Sequence, residues 1–398
     1  MELTKEFIEQ KVAEQKDYIV AMRRWFHENP EVSGEEKITS AKLEEEFIAM
    51  GLPYEKAATY GWVVTMECGK PGKKVGLRAD IDALPMDEEE VNLKEKRTCV
   101  SKLPGAMHAC GHDAHMAMML GAMKILNDVK NDLEGTIYFC FEEGEETGTG
   151  KWQMLDILKT KNIDTVWAIH VYAPMETCKI SVQAGPRMAG VAGWSFKIKG
   201  RGGHGSRPDL SLNPTYPAIQ IVTTLESFWH THLDIEETVT LSIGKFQAGT
   251  QGNIIPEYAE VAGSVRFFNM EEGHKARALI EKTIRTITEL SGCELVDINV
   301  GFMGSCINDE KASEIATRAL TKVLPEGTVQ NIAPWYASES FSHYLDDIAP
   351  GVLAFLGINN PDKGVGADHH NINFDVDEDA MEIGAASTVA FAIEALNS

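Results

Sequence analysis

Apolar residues recur at helical spacing over residues 3–28 and again over SGEEKITSAKLEEEFIAMG (33–51), where Ser33 and Glu36 stand as a capping box does. The pattern then shifts to short apolar runs: WVVTME (62–67), KVGLRAD (74–80), GTIYFCF (135–141) and TVWAIHV (165–171). Helical stretches at 114–130 and 151–161 lie between them. Strands alternating with helices predict an α/β fold, a mostly parallel sheet sandwiched by helices.

Near residue 190 the texture changes. GWSFKIKG (193–200) alternates, a helix follows at about 214–232, and TVTLSIGKFQAG (238–249) and YAEVAGSVRFF (258–268) read as strands. A charged helix at 271–291 and the strand CELVDINVGF complete a βαββαβ order, the split-βαβ arrangement of small α/β sandwiches. A buried-strand run returns in GVLAFLG (351–357), and a last helix spans 377–396. The expectation is a discontinuous α/β domain, 1–188 and 302–398, interrupted by an inserted α/β sandwich at 189–301.

Composition removes several function classes. The chain of 398 residues has 37 Lys+Arg against 60 Asp+Glu, a formal charge of −23. That acidity excludes a nucleic-acid partner, which needs basic patches, and docking on anionic lipid. No apolar run approaches the ~20 residues of a membrane helix, and the charged N-terminus does not read as a signal peptide. Seven dispersed cysteines, an odd number, read as reduced thiols of a cytoplasmic enzyme rather than a disulfide scaffold.

The segment HACGHDAHMAMML (108–120) brings Cys110, His112, Asp113 and His115 within six residues at the start of an apolar helix. A thiolate and imidazoles suit a transition metal rather than calcium or magnesium. The alternative reading gives Asp113 a capping role and lets the histidines pack. FEEGEETG (141–148) follows a strand directly, and its crowded carboxylates repel unless solvated or neutralised by cations. His170 ends TVWAIHV, Asp80 and Asp82 follow KVGLRAD, and His369–His370 lie in GADHHNINFD. Ligands of open α/β sheets gather at the carboxyl ends of strands, so these donors point to a metal site of two ions there.

These residues resemble the aminoacylase/carboxypeptidase family of dinuclear metallopeptidases. The likeness is to its amidohydrolase branch: hippurate hydrolases, aminobenzoyl-glutamate hydrolases and auxin–amino-acid conjugate hydrolases. It extends over the whole chain through LRADIDALPM (77–86), GRGGHGSRPD (200–209), NIIPEYAEVAGSVR (253–266), ASESFSHYL (337–345) and FDVDEDAM (374–381). The resemblance implies metal ligands Cys110, His112, Glu146, His170 and His370, with the Cys110 thiolate bridging two ions. The ions would be manganese or zinc, with cobalt or nickel as alternatives. Glu145 would be the general base that takes a proton from the attacking water and returns it to the leaving amine, and Asp82 would orient a ligand. Asp80 stands where other branches have a His ligand.

The same resemblance makes the inserted domain a lid and dimerisation domain. His204 would reach the active site of the partner subunit and steady the oxyanion, while Asn253, Arg266 and Arg207 would hold the substrate carboxylate. The chain departs from the branch in three places: Glu142-Glu143-Gly144 precedes the glutamate pair, Ile372 replaces a proline, and Ser340 stands where Asp is frequent. A register slip would promote Glu142 and Glu143 instead, and His369 is the weaker alternative to His370.

The expected activity is metal-dependent hydrolysis of N-acyl-L-amino acids by activated water, in a homodimer. Alternatives are a dipeptidase or carboxypeptidase of the same family and a non-catalytic metal-binding relative. A thiol hydrolase is disfavoured, because Cys110 and His112, two residues apart on a loop, are poorly placed for a nucleophile–base hydrogen bond.

Overall fold

The computed structural model describes residues 4–398. The chain opens with α1 (Lys5–Glu28) and α2 (Lys37–Met50), then β1 (Tyr54–Ala57), β2 (Gly61–Glu67) and β3 (Lys70–Asp80). There follow α3 (His112–Val129), β4 (Glu134–Glu142), α4 (Lys151–Leu158), β5 (Thr165–Glu176) and β6 (Ile180–Ser181). Next come β7 (Gly185–Met188), β8 (Gly190–Lys199), β9 (Gly203–His204), α5 (Thr215–His232), β10 (Val239–Ala248) and β11 (Ile254–Ile255). Then β12 (Tyr258–Phe267), α6 (Met270–Ser291), β13 (Glu294–Val300) and β14 (Cys306–Asn308) follow. The chain ends with α7 (Glu310–Val323), α8 (Ser342–Asp347), β15 (Gly351–Asn359) and α9 (Ala380–Asn397).

The chain divides into two compact units. The first holds residues up to Gly185, Ile307–Ala333 and His343–Ser398; the second holds Pro186–Cys306 with Pro334–Ser342. In the first, a seven-stranded sheet has the order β1-β2-β4-β3-β5-β15-β6. Its four central strands, β4, β3, β5 and β15, are parallel, and antiparallel strands flank them. β4 and β15 are buried over almost their whole length, as strands covered on both faces must be. Helices α1, α3, α7 and α9 pack on one another, and α3 and α9 lie against the sheet.

Most elements follow the apolar pattern, with informative exceptions. The helix expected from residue 3 begins at Lys5, Thr4 capping it by accepting from the Phe7 N–H at 3.2 Å; residue 3 lies outside the described residues. The capping box at Ser33–Glu36 does not form. α2 starts at Lys37 with no side-chain cap at Glu36, and the Ser33 hydroxyl donates to Asp82 Oδ2 at 2.6 Å instead. Glu31 accepts the orphan N–H of Thr39. Strand β1 and helix α7 are absent from the sequence reading, although Asp309 caps α7 by accepting from the Ala312 N–H at 2.8 Å.

In the second unit β10, β12, β8 and β13 form an antiparallel sheet. α5 and α6 pack on each other and on this sheet around Trp194, Phe196, Ile221, Leu225, Ile280 and Ile284. Pro334–Ser342 belongs to this unit through the Arg266 Nη1 to Ser338 Oγ bond (2.9 Å) and the Cys306 thiol on the Glu339 carbonyl (3.6 Å).

Candidate metal centre

Because β3, β4 and β5 are parallel neighbours, their carboxyl ends share one edge of the sheet. That edge receives Asp80 and Asp82 from β3, the 143–150 loop from β4, and His170 from β5. Cys110 and His112 flank Gly111, which turns the chain into α3 at φ +91°. A side chain there would sit 2.3 Å from Val171 Cγ2, so only glycine fits. The backbone N–H of His370 donates to Ala109 O at 2.9 Å and joins the late loop to this one. His370 itself adopts φ +60°, a strained conformation for a residue with a side chain and one that clusters at functional sites.

Hydrogen bonding decides which imidazole lone pairs face the centre. His112 Nδ1 is 2.8 Å from Asp82 O and 3.2 Å from Asp82 Oδ1, so Nδ1 carries a proton and Nε2 is the nitrogen left for a ligand. That Nε2 is buried with no hydrogen-bond partner. His170 Nδ1 likewise donates to Val171 O at 2.6 Å, turning its unprotonated Nε2 toward Cys110 Sγ at 3.6 Å. His115 is different. Val171 N–H donates to its Nε2 at 2.9 Å, so Nδ1 is the protonated nitrogen and donates to Asp80 Oδ1 at 2.6 Å. Both ring nitrogens of His115 are engaged in hydrogen bonds.

Besides Asp80 with His112 and His115, three sets of residues along this edge bring their donor atoms within 4.8 Å of one another. Cys110 with His112 and His170 is one, Cys110 with Glu146 and His370 a second, and His112 with Glu145 and Glu146 a third. Cys110 is common to the first two, as a thiolate between two cations requires. Burial and the charges of Glu146 and Glu145 push the Cys110 thiol well above its ordinary range, so a thiolate here needs positive charge close by. The orphaned Nε2 of His112 and the mixed sulfur, nitrogen and carboxylate donors fit two divalent ions. Asp82 fixes two donors at once: it orients His112 and accepts the Glu146 backbone N–H at 3.0 Å.

The remaining acids of the sequence motifs are used elsewhere. Glu142 is paired with Arg78 at 3.1 Å, and Arg78 also holds Asp80 at 2.7 Å, all three buried. Glu143 accepts backbone N–H groups from Thr59, Tyr60 and Gly61. Asp113 is neither ligand nor cap: buried, it pairs with Arg23 at 2.9 Å and His27 at 2.7 Å, and these cations hold its carboxyl far below the usual range. His27, on α1, bridges Asp113 and Glu88 (2.8 Å) and was not singled out by the sequence. Glu36 was also missed; it accepts the Gly144 N–H at 2.8 Å and steadies the loop of Glu145. His27 is adjacent to no motif, and the sequence marked Glu36 only as the partner of Ser33 in a capping box.

The second unit separates its candidate residues into two groups. His204 in β9 faces Ile254 in β11, and Gly205 N–H donates to Asn253 O at 2.9 Å, so His204 and Asn253 share one ribbon. His204 is exposed, its Nδ1 held by Ser206 at 2.8 Å. Arg207 is exposed and paired with Asp209 at 2.6 Å. Arg266 lies at the far end of β12. The β12–β8 ladder runs from Tyr258↔Lys199, beside the ribbon, to Arg266↔Val191. Eight strand steps place Arg266 ~26 Å from that end of the ladder. Burial holds the Arg266 guanidinium below its ordinary range. Ser340 is buried, its hydroxyl donating to Glu339 Oε1 at 3.4 Å.

A parallel-sheet edge that shares one cysteine between two donor sets suits a hydrolase working through two metal ions. The comparison with known proteins gives the family: the chain belongs to the peptidase family M20/M25/M40, whose profile matches residues 76–394. It is therefore an amide-bond hydrolase. It is 33% identical over 97% of both chains to thermostable carboxypeptidase 2 of Saccharolobus solfataricus. It is 36% identical to an N-acyl-L-amino acid amidohydrolase of Geobacillus stearothermophilus, over 73% of this chain and 78% of that one. Its fold matches the Bacillus subtilis YXEP protein, a dinuclear metal-binding peptidase of the M20 family. That match has a TM-score of 0.79 at 26% identity, covering 96% of this chain and 98% of the other.

Proposed function

We propose that this protein hydrolyses the amide bond of N-acyl-L-amino acids with Glu145 as general base. The observation that carries the reading is the shared Cys110 between two donor sets, with Glu145 in the adjoining one. Two divalent ions, manganese or zinc by donor type, supply a lowered water pKa and polarisation of the scissile carbonyl when bound. Glu145 removes the proton of the attacking water and delivers it to the departing amine nitrogen as the C–N bond breaks. Cys110, His112, Glu146, His170 and His370 hold the ions, and Asp82 keeps His112 in its ligating tautomer.

His204 stabilises the developing oxyanion, and Asn253, Arg207 and Arg266 take the substrate carboxylate. The ~26 Å between Arg266 and the ribbon end exceeds the span of an N-acyl amino acid, so one substrate that meets both meets two chains. A homodimer built through the second unit, acting as lid and dimerisation domain, supplies them. Among the described residues no helix is long and apolar enough to cross a membrane, and seven free cysteines suit the reducing cytoplasm.

A carboxypeptidase activity is the second reading, favoured by the thermostable carboxypeptidase relative. Both are tested by removing metal with a chelator, restoring each metal in turn, and assaying acetyl-, benzoyl-, aminobenzoyl- and indoleacetyl-amino acids beside dipeptides. Faster turnover of N-acyl substrates supports the proposal, and faster turnover of dipeptides supports the alternative. No metal-dependent turnover, with two ions bound, overturns both.

A further inference from the structure

The two histidines of Asp368-His369-His370 are neighbours with different jobs. His370 Nε2 stands 3.3 Å from Glu146 Oε1 and joins the donor set with Cys110. His369 approaches the same sulfur, its Nδ1 4.0 Å from Cys110 Sγ. The backbone N–H of Ala173 donates to His369 Nε2 at 3.2 Å. An N–H can only donate, so Nε2 is the unprotonated nitrogen and the ring proton is on Nδ1, the nitrogen facing sulfur. His170 shows the opposite arrangement against that sulfur, its proton committed to Val171 O and its unprotonated Nε2 3.6 Å from Sγ. One imidazole presents a lone pair to the centre and the other an N–H.

We propose that His369 is a positioning residue that donates a hydrogen bond from Nδ1 to the Cys110 sulfur, and does not ligate metal. This rests on the reading of Cys110 as a ligand. Neighbouring rings hold the imidazole in this orientation. It stacks near Tyr172 (6.4 Å, 18° between planes), packs on Phe374 (5.0 Å) and meets His170 edge-on at 5.4 Å. Its backbone N–H is tied to Asp368 Oδ1 at 2.9 Å. A donor on a ligating thiolate withdraws electron density from sulfur, which lowers its basicity and changes the energy of charge transfer to the metal. The carboxylates that crowd this sulfur, Glu145 and Glu146, make such a donor useful, because they raise the electron richness of the thiolate.

The test uses the full chain loaded anaerobically with cobalt(II), read by the sulfur-to-cobalt charge-transfer band. His369→Phe keeps a flat ring and removes the donor; His369→Asn puts an amide N–H where Nδ1 was. The band is expected to move to lower energy in His369→Phe and to stay near the wild-type position in His369→Asn. His369→Ala replaces the Phe variant if circular dichroism shows that the phenyl ring disturbs the fold. An unmoved band in a folded donor-less variant overturns the proposal, and so does loss of one bound cobalt in both Phe and Asn variants, which makes His369 a ligand. Absence of any sulfur-to-cobalt band in the wild type instead overturns the reading of Cys110 on which the proposal stands.

Discussion

The backbone N–H of Val171 donates to Nε2 of His115 at 2.9 Å, tying the helix that carries His112 to the strand that carries His170. The other ring nitrogen is held by Asp80, which Arg78 grips in turn. Asp80 therefore ties helix α3 to strand β5 through His115. His115→Ala leaves the Val171 N–H and one Asp80 oxygen without their buried partners. We expect a loss of about 2–4 kcal/mol in stability and a 10- to 100-fold loss in metal affinity. Thermal unfolding and chelator competition on the same preparation measure the two effects, and unchanged metal affinity would show that the lock does not reach the ligands.

The four clustered glutamates separate by role. Glu145→Gln is expected to lower kcat by about 10²–10⁴ while two ions remain bound. Glu143→Ala removes the acceptor of three backbone N–H groups and is expected to cost about 3 kcal/mol of stability. Urea unfolding and steady-state kinetics on both variants check this division; the opposite outcome would restore Glu142–Glu143 as the functional pair.

Mixing two inactive chains tests the dimer. In a mixed dimer of His204→Ala with Glu145→Gln, one site regains an intact Glu145 and an intact His204 only if His204 acts across the interface. Random exchange of subunits should then recover about a quarter of the wild-type activity. No recovery, with exchange verified by size-tagged subunits, would place His204 in its own chain's site.

Glu36 gives the fold a pH dependence. Burial lifts its carboxyl to about 7, against about 4.3 in an unfolded chain. The folded protein binds this proton more tightly, so the contribution is fullest below the unfolded value and is lost as pH rises through the folded one. In chelator-treated protein, Glu36→Gln should gain roughly 2 kcal/mol over the wild type near pH 8, after allowance for solvent screening, and nothing near pH 4. Urea midpoints across that range decide it; parallel curves for the two proteins would remove Glu36 as the source.

The apolar runs and their alternation with helical segments determined the parallel sheet, because a strand buried on both faces must be apolar throughout. The same reading placed donors at the ends of those strands, since strand direction fixes where each run exits. Helix α7 escaped it although Asp309 and a regular apolar face were in view, and the Ser33–Glu36 box misled it because Ser33 is taken by Asp82. What the tertiary structure alone decided is which atoms of the motif face the centre. Asp113 lies one residue from His112 yet turns to Arg23 and His27 on another helix. Backbone N–H groups of Val171 and Ala173 each donate to Nε2 of an imidazole, His115 and His369, and leave its proton on Nδ1. An imidazole has two nitrogens and one proton, and the partner that fixes the proton here comes from a strand distant in sequence.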